Sequence, residues 1–91
     1  MASAFRVGYA PHTGSSSANA LAVGMHLATA MPNFLFYEHM QSDWSDEQRN
    51  PLRWDLFNLP VKSFKDGYLE IEDTPGLGIE LNEDVVRRYR V

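Results

Sequence analysis

The chain has 91 residues, with 8 Lys and Arg against 12 Asp and Glu for a formal net charge of −4, and no cysteine. A chain of this length is one small domain or one piece of a larger one, and alone it buries only roughly 60–65% of the surface its unfolded form exposes. The lack of thiols excludes disulfide staples and thiolate metal sites, and the acidic balance speaks against nucleic acid and against an anionic membrane surface.

No stretch approaches the roughly 20 apolar residues of a transmembrane helix. The start, Met1-Ala2-Ser3-Ala4-Phe5-Arg6, lacks the charged and apolar regions of a signal peptide, so a cytoplasmic location is expected.

Residues 5–10 are mostly apolar and Pro11 closes them, which predicts a strand, because proline holds its predecessor extended. His12-Thr13-Gly14-Ser15-Ser16-Ser17 follows as a polar turn, and any of its three serines is a candidate helix cap. A helix is predicted over 18–31. Leu21, Met25 and Ala28 share one face, while Ala20, Val23, Leu27 and Ala30 spread apolar character around the rest, and Pro32 ends it. Phe34-Leu35-Phe36-Tyr37 is continuously apolar, as expected of a parallel strand covered on both faces. Strand, helix and strand make one right-handed βαβ unit.

Residues 41–50 read as a polar surface loop broken by Trp44, and Asn50-Pro51-Leu52-Arg53 opens a short helix with proline in its first turn. Residues 61–64 and 68–72 flank Lys65-Asp66-Gly67, a hairpin signal because both central positions favour positive φ. Thr74-Pro75-Gly76-Leu77-Gly78 is irregular by composition. Asn82 then caps a last helix with Glu83 and Asp84 in its first turn and Arg87 and Arg88 in its last, an order that complements the helix dipole. Two strands with unpaired edges and a helix apolar nearly all round leave too little chain to cover them, so the sequence reads as part of a larger barrel or sheet.

His12 follows the first predicted strand and Glu38 ends the second, 26 residues on. The carboxyl ends of parallel strands gather on one face, so this pair can share a pocket. Histidine takes or gives a proton near neutrality, and a partly buried glutamic acid can keep its proton and donate a hydrogen bond to developing negative charge. The plainer alternatives are a His-Thr-Gly turn that only caps a helix and a solvated glutamate. His39 points away from Glu38 by strand alternation, so the two do not chelate one metal. His26 reads as a packing residue, Trp44 and Trp54 as core or rim aromatics, and Asp43, Asp46 and Glu47 as a solvated loop. Gly14-Ser15-Ser16-Ser17 lacks the lysine of a P-loop, and ordinary capping accounts for it.

The order strand, Ala10-Pro11-His12, polar turn, alanine-rich helix, Pro32-Asn33-Phe34-Leu35-Phe36-Tyr37-Glu38, Asn50-Pro51-Leu52-Arg53, hairpin and Thr74-Pro75-Gly76-Leu77-Gly78-Ile79-Glu80-Leu81 resembles the carboxy-terminal end of the mandelate racemase and muconate lactonizing enzyme family, in the enolase superfamily. It extends over nearly all of residues 7–91. The resemblance implies an α/β fold: residues 1–59 supply the last βαβ part of a modified (β/α)8 barrel and a short helix, and residues 60–91 return, through a β-hairpin, to an α+β capping domain. It implies a Mg2+-dependent dehydratase or racemase that abstracts a proton α to a carboxylate, with a sugar acid or another carboxylate as substrate. The complete enzyme would be a homo-oligomer. His12 matches the histidine that acts as base, or as acid for departing hydroxide, and Glu38 matches the acid that hydrogen-bonds the substrate carboxylate.

The family's metal ligands, lysine bases and histidine-pairing aspartate have no counterpart in the 91 residues. The isolated chain is therefore expected to be inactive, and its partner would be the missing amino-terminal barrel and capping domain. The competing expectation is a non-catalytic remnant or a small interaction module that folds only with a partner chain. A helix-terminus anion site at residues 15–17 is a third.

Overall fold

The computed structural model describes residues 1–14, 16–40, 51–58 and 65–91. Two extended segments lie parallel, paired at Tyr9 with Phe34 and at His12 with Glu38. Tyr9 N donates to Asn33 O (2.8 Å), Leu35 N to Tyr9 O (2.9 Å) and Glu38 N to Pro11 O (2.9 Å). Pro11 has no N–H to offer, so its carbonyl carries that end of the pairing. The Asn33 side chain adds a bond from Nδ2 to Val7 O at 2.7 Å.

The two pairings are out of step. From Tyr9 to His12 is three residues, whereas from Phe34 to Glu38 is four, so the second segment carries one extra residue between them. An inserted residue of this kind bends a strand and re-aims the side chains beyond it.

The expected strand at 5–10 begins later than the composition suggests. Ala2–Phe5 form a 3-10 turn, and Arg6 closes it in the left-handed region at φ 56°. Val7 N donates back to Ala2 O (3.2 Å). Small residues without β-branching favour this turn, and only from Val7 onward does the chain run extended.

Helix α1, Ala18–Ala30, links the two segments and matches the expected helix to within one residue. Ala18, Leu21, Ala22, Gly24, Met25 and Ala28 are buried, while Val23 and Leu27 remain exposed. Met31 leaves the helical region and its N–H caps back to Leu27 O at 3.0 Å. Pro32 follows, unable to extend the ladder. The core gathers on this face: Ala18, Leu21 and Met25 pack against Tyr37, Trp54, Phe57, Leu69 and Ile71.

Helix α2, Pro51–Asp55, is the short proline-opened helix foreseen, and its Arg53 is buried. It leads into β1, Phe57–Asn58, which pairs antiparallel with β2, Glu80–Leu81. Neither strand is foreseeable, because two residues show no alternation. Asn82 N donates to Leu56 O (2.9 Å). Asn82 then caps α3, Glu83–Tyr89, its Oδ1 accepting from Val85 N at 3.3 Å. The acidic first turn and basic last turn are placed as expected for the helix dipole, and Arg87 also reaches Glu83 at 2.8 Å and Asp84 at 2.9 Å.

Lys65 and Tyr68 exchange both backbone bonds, and Asp66 and Gly67 turn between them at φ 52° and 80°. This is the two-residue hairpin turn that Asp-Gly predicts. Beyond Tyr68, residues 69–72 form no strand, and the expected partner at 61–64 lies outside the described residues. Among the described residues no helix is long and apolar enough to cross a membrane.

Candidate functional site

His12 and Glu38 stand opposite one another at the carboxyl ends of the two parallel segments. His12 Nδ1 lies 3.3 Å from Glu38 Oε2, with side chains 51% and 61% exposed. The one-residue offset between the pairings is what brings them level; kept in step with Tyr9 and Phe34, residue 12 would face Tyr37. The expected partly buried glutamic acid is instead an exposed one beside the imidazole. An exposed imidazole–carboxylate contact is worth no more than an exposed ion pair, on the order of 0–1 kcal/mol, so folding alone gives little reason for it. With Nδ1 turned to the Glu38 carboxylate, Nε2 is the ring nitrogen not used in that contact. Gly14 makes room for that edge, since a Cβ there would stand 2.9 Å from His12 Nε2.

The neighbours of this pair form a second contact on the inner side. Successive residues of an extended chain face opposite ways. Thr13, just after His12, is buried, and Tyr37, just before Glu38, is half-buried with its hydroxyl donating to Thr13 Oγ1 at 3.0 Å. Burial pushes the Tyr37 phenol above its ordinary pKa and Tyr9 pushes the same way, while the bond to Thr13 pulls it down. The hydroxyl end of the ring approaches α1 at Gly24, where a Cβ would stand 3.0 Å from Cε2 and Cζ.

Glu38 and His39 diverge, as strand alternation requires. His39 turns inward, and burial, followed by the charge of Arg53, pulls its imidazole below the usual histidine value. It helps line an apolar groove of about 440 Å3 with Met25, Ala28, Phe34, Phe36 and Tyr68. That groove is distinct from the His12–Glu38 contact.

Ser17 occupies the cap position of α1, but its hydroxyl contacts the Asn19 side chain rather than a backbone N–H. His26 sits half-buried in mid-helix, and Trp54 packs on the core. Ser15, Asp43, Trp44, Asp46 and Glu47 lie outside the described residues. Reasoning from sequence missed Thr13, Tyr37 and Arg53. A hydroxyl residue next to each member of the candidate pair, with a glycine in the intervening helix, is the signal that points to the first two.

Among the described residues no three His, Asp or Glu side chains come together as a metal site. One imidazole and one carboxylate are not the oxygen-rich set that Mg2+ demands, so the residues described here do not fit that ion.

The imidazole and the carboxylate thus stand at the carboxyl ends of a parallel pair, the end where α/β enzymes gather their site residues. The chain belongs to the family described as enolase C-terminal domain-like, whose model matches residues 1–85. It is 33% identical over 90 residues to a D-galactonate dehydratase family member of Streptomyces bingchenggensis, covering 98% of this chain and 20% of that protein. It is 35% identical over 69 residues to a D-galactonate dehydratase family member of Pseudarthrobacter chlorophenolicus, covering 75% of this chain and 15% of that protein. The chain thus spans a fifth or less of the length of these curated relatives. No solved structure matches it.

Proposed function

We propose that the chain is the carboxy-terminal part of an acid-sugar dehydratase or racemase that abstracts a proton α to a carboxylate. One observation supports this reading: His12 and Glu38 meet at 3.3 Å at the carboxyl ends of the parallel pair. The family match and the dehydratase relatives support it. Residues 1–59 form the end of a (β/α) barrel and residues 60–91 return to the capping domain. The substrate is a sugar acid.

His12 acts through Nε2. As base it takes the α-proton, and the C–H electron pair passes into the enolate. In a dehydration its imidazolium gives a proton to the departing β-hydroxyl, which leaves as water. Glu38 holds the ring through Nδ1 and is the group proposed to meet the carboxylate end of the substrate. Mg2+, which the family resemblance implies, would be held by residues outside this chain and would stabilise the enolate. The complete protein works in the cytoplasm as a homo-oligomer, and the 91 residues alone are inactive.

Turnover of sugar acids by the complete enzyme, reconstituted around this chain, tests the assignment. His12→Asn is expected to lose about 10²–10⁴-fold in kcat, the usual weight of a general acid or base. Undiminished turnover would remove His12 from the chemistry.

A second reading is a module that folds only against a partner chain. Phe5 is 75% exposed, Leu35 64% and Tyr68 76%, around a core whose fully buried large side chain is Leu21 alone among the described residues. Circular dichroism and sizing of the 91-residue chain test this, since a cooperatively folded monomer contradicts the need for a partner, whether an interaction partner or the rest of a barrel.

A further inference from the structure

The His12–Glu38 contact does not hold itself in place. Both side chains are half exposed or more, and exposed pairs seldom repay the entropy of fixing two side chains. Backbone pairing gives limited help. The bond from Glu38 N to Pro11 O anchors this end at one point, and the extra residue after Phe34 uncouples it from the Tyr9–Phe34 pairing. An inserted residue is left unpaired and disrupts the ladder locally, so the pairing beyond it rests on fewer backbone bonds. Something else must set how far Glu38 advances past His12.

We infer that the hydrogen bond from Tyr37 to Thr13, seated on Gly24 of α1, is a positioning device that holds Glu38 level with His12. It joins the residue after His12 to the residue before Glu38, so it fixes the same two backbone positions from the inner side. Thr13 is 8% exposed, and water competes little for its hydroxyl. Gly24 lets the Tyr37 ring press against the helix, which removes the ring's freedom to swing away from Thr13. A phenol is protonated near neutrality and burial pushes its pKa higher still, so the hydroxyl keeps its proton to donate. Thr13 and Tyr37 touch no substrate in this scheme; they act through His12 and Glu38, and the inference rests on the proposed role of that pair.

The test uses Tyr37→Phe, Thr13→Val and Thr13→Ser in the 91-residue chain and in the reconstituted enzyme. In the chain, NMR follows the through-space signal between the His12 ring and the Glu38 side chain, with the His12 ring-nitrogen shifts. Tyr37→Phe and Thr13→Val are expected to weaken that signal about threefold while the helix signals of α1 persist, as loss of one register-setting bond implies. Thr13→Ser, which keeps the hydroxyl, is expected to retain it. In the enzyme the first two variants should lower kcat about tenfold with KM within about twofold, because misplacing a catalytic group costs rate more than binding. An unchanged His12–Glu38 signal in both hydroxyl-deleting variants overturns the inference. So does a Thr13→Ser as impaired as Thr13→Val, and so does outright unfolding of both deletion variants, which would make the bond a support of the fold alone. Full activity of His12→Asn would instead defeat the functional reading and leave the NMR result standing.

Discussion

Gly24 and Tyr37 approach so closely that α1 has no room for a methyl group at residue 24: a Cβ there would stand 3.0 Å from two ring carbons, with the hydroxyl oxygen nearer still. Alanine is favoured over glycine in a helix interior by roughly 0.8–1 kcal/mol, so propensity alone predicts that Gly24→Ala stabilises. Overpacking costs about 1–3 kcal/mol, and displacing the hydroxyl sacrifices a bond worth about 1 kcal/mol. The second effect wins. Gly24→Ala should lower stability by about 1 kcal/mol in urea unfolding, and a more stable variant would contradict the packing described.

Leu21 is 2% exposed and central to the cluster on α1. Truncating a buried leucine costs about 2–5 kcal/mol. A chain of this size has little stability to spare, so Leu21→Ala should abolish the cooperative thermal transition. Retention of that transition in circular dichroism would mean that the core lies elsewhere.

His39 supplies a pH dependence with a definite sign. Burial first, and then the Arg53 charge, hold its folded pKa below the ordinary value. Between about 6.5, the unfolded value, and the lower folded one, the unfolded chain binds more protons, so stability rises with pH. The protonation penalty is absent above that window and fully developed below it. Urea midpoints should therefore fall as the pH drops from 7 through this window, and His39→Gln should flatten the slope. An equal slope in the variant would assign the effect to other groups.

Asn82 caps α3 through Oδ1 and Val85 N. Replacing such a cap with alanine costs about 1 kcal/mol. Asn82→Ala should weaken the amide-exchange protection of α3 while leaving α1 unchanged; protection lost equally in both would show that α3 has no independent cap.

Much of this was legible in advance because it is local. The small-residue pattern ending at Pro32 located α1, Asp66-Gly67 specified the hairpin turn, and Asn82 with its flanking charges marked α3. Pro11 and the run Phe34-Leu35-Phe36-Tyr37 pointed to two parallel segments. The remainder depends on contacts distant in sequence. No local pattern reveals the extra residue between Phe34 and Glu38, and β1 and β2 are too short to alternate. The same holds for the bond from Tyr37 to Thr13, made across 24 residues, and for the burial of Arg53, a residue type almost never fully buried unless paired. His12 and Glu38 could be placed on one face from sequence, but their direct contact, and the exposure of Glu38, could not.

A double-mutant cycle in the reconstituted enzyme asks most directly whether His12 and Glu38 work as one proton-handling unit. His12→Asn, Glu38→Gln and the double variant would be compared by kcat for sugar-acid turnover. Groups that act as a unit are strongly non-additive, so the double variant should be no slower than the worse single variant, to within about threefold. Losses that multiply, or a Glu38→Gln enzyme at full rate, would contradict a shared role for the pair.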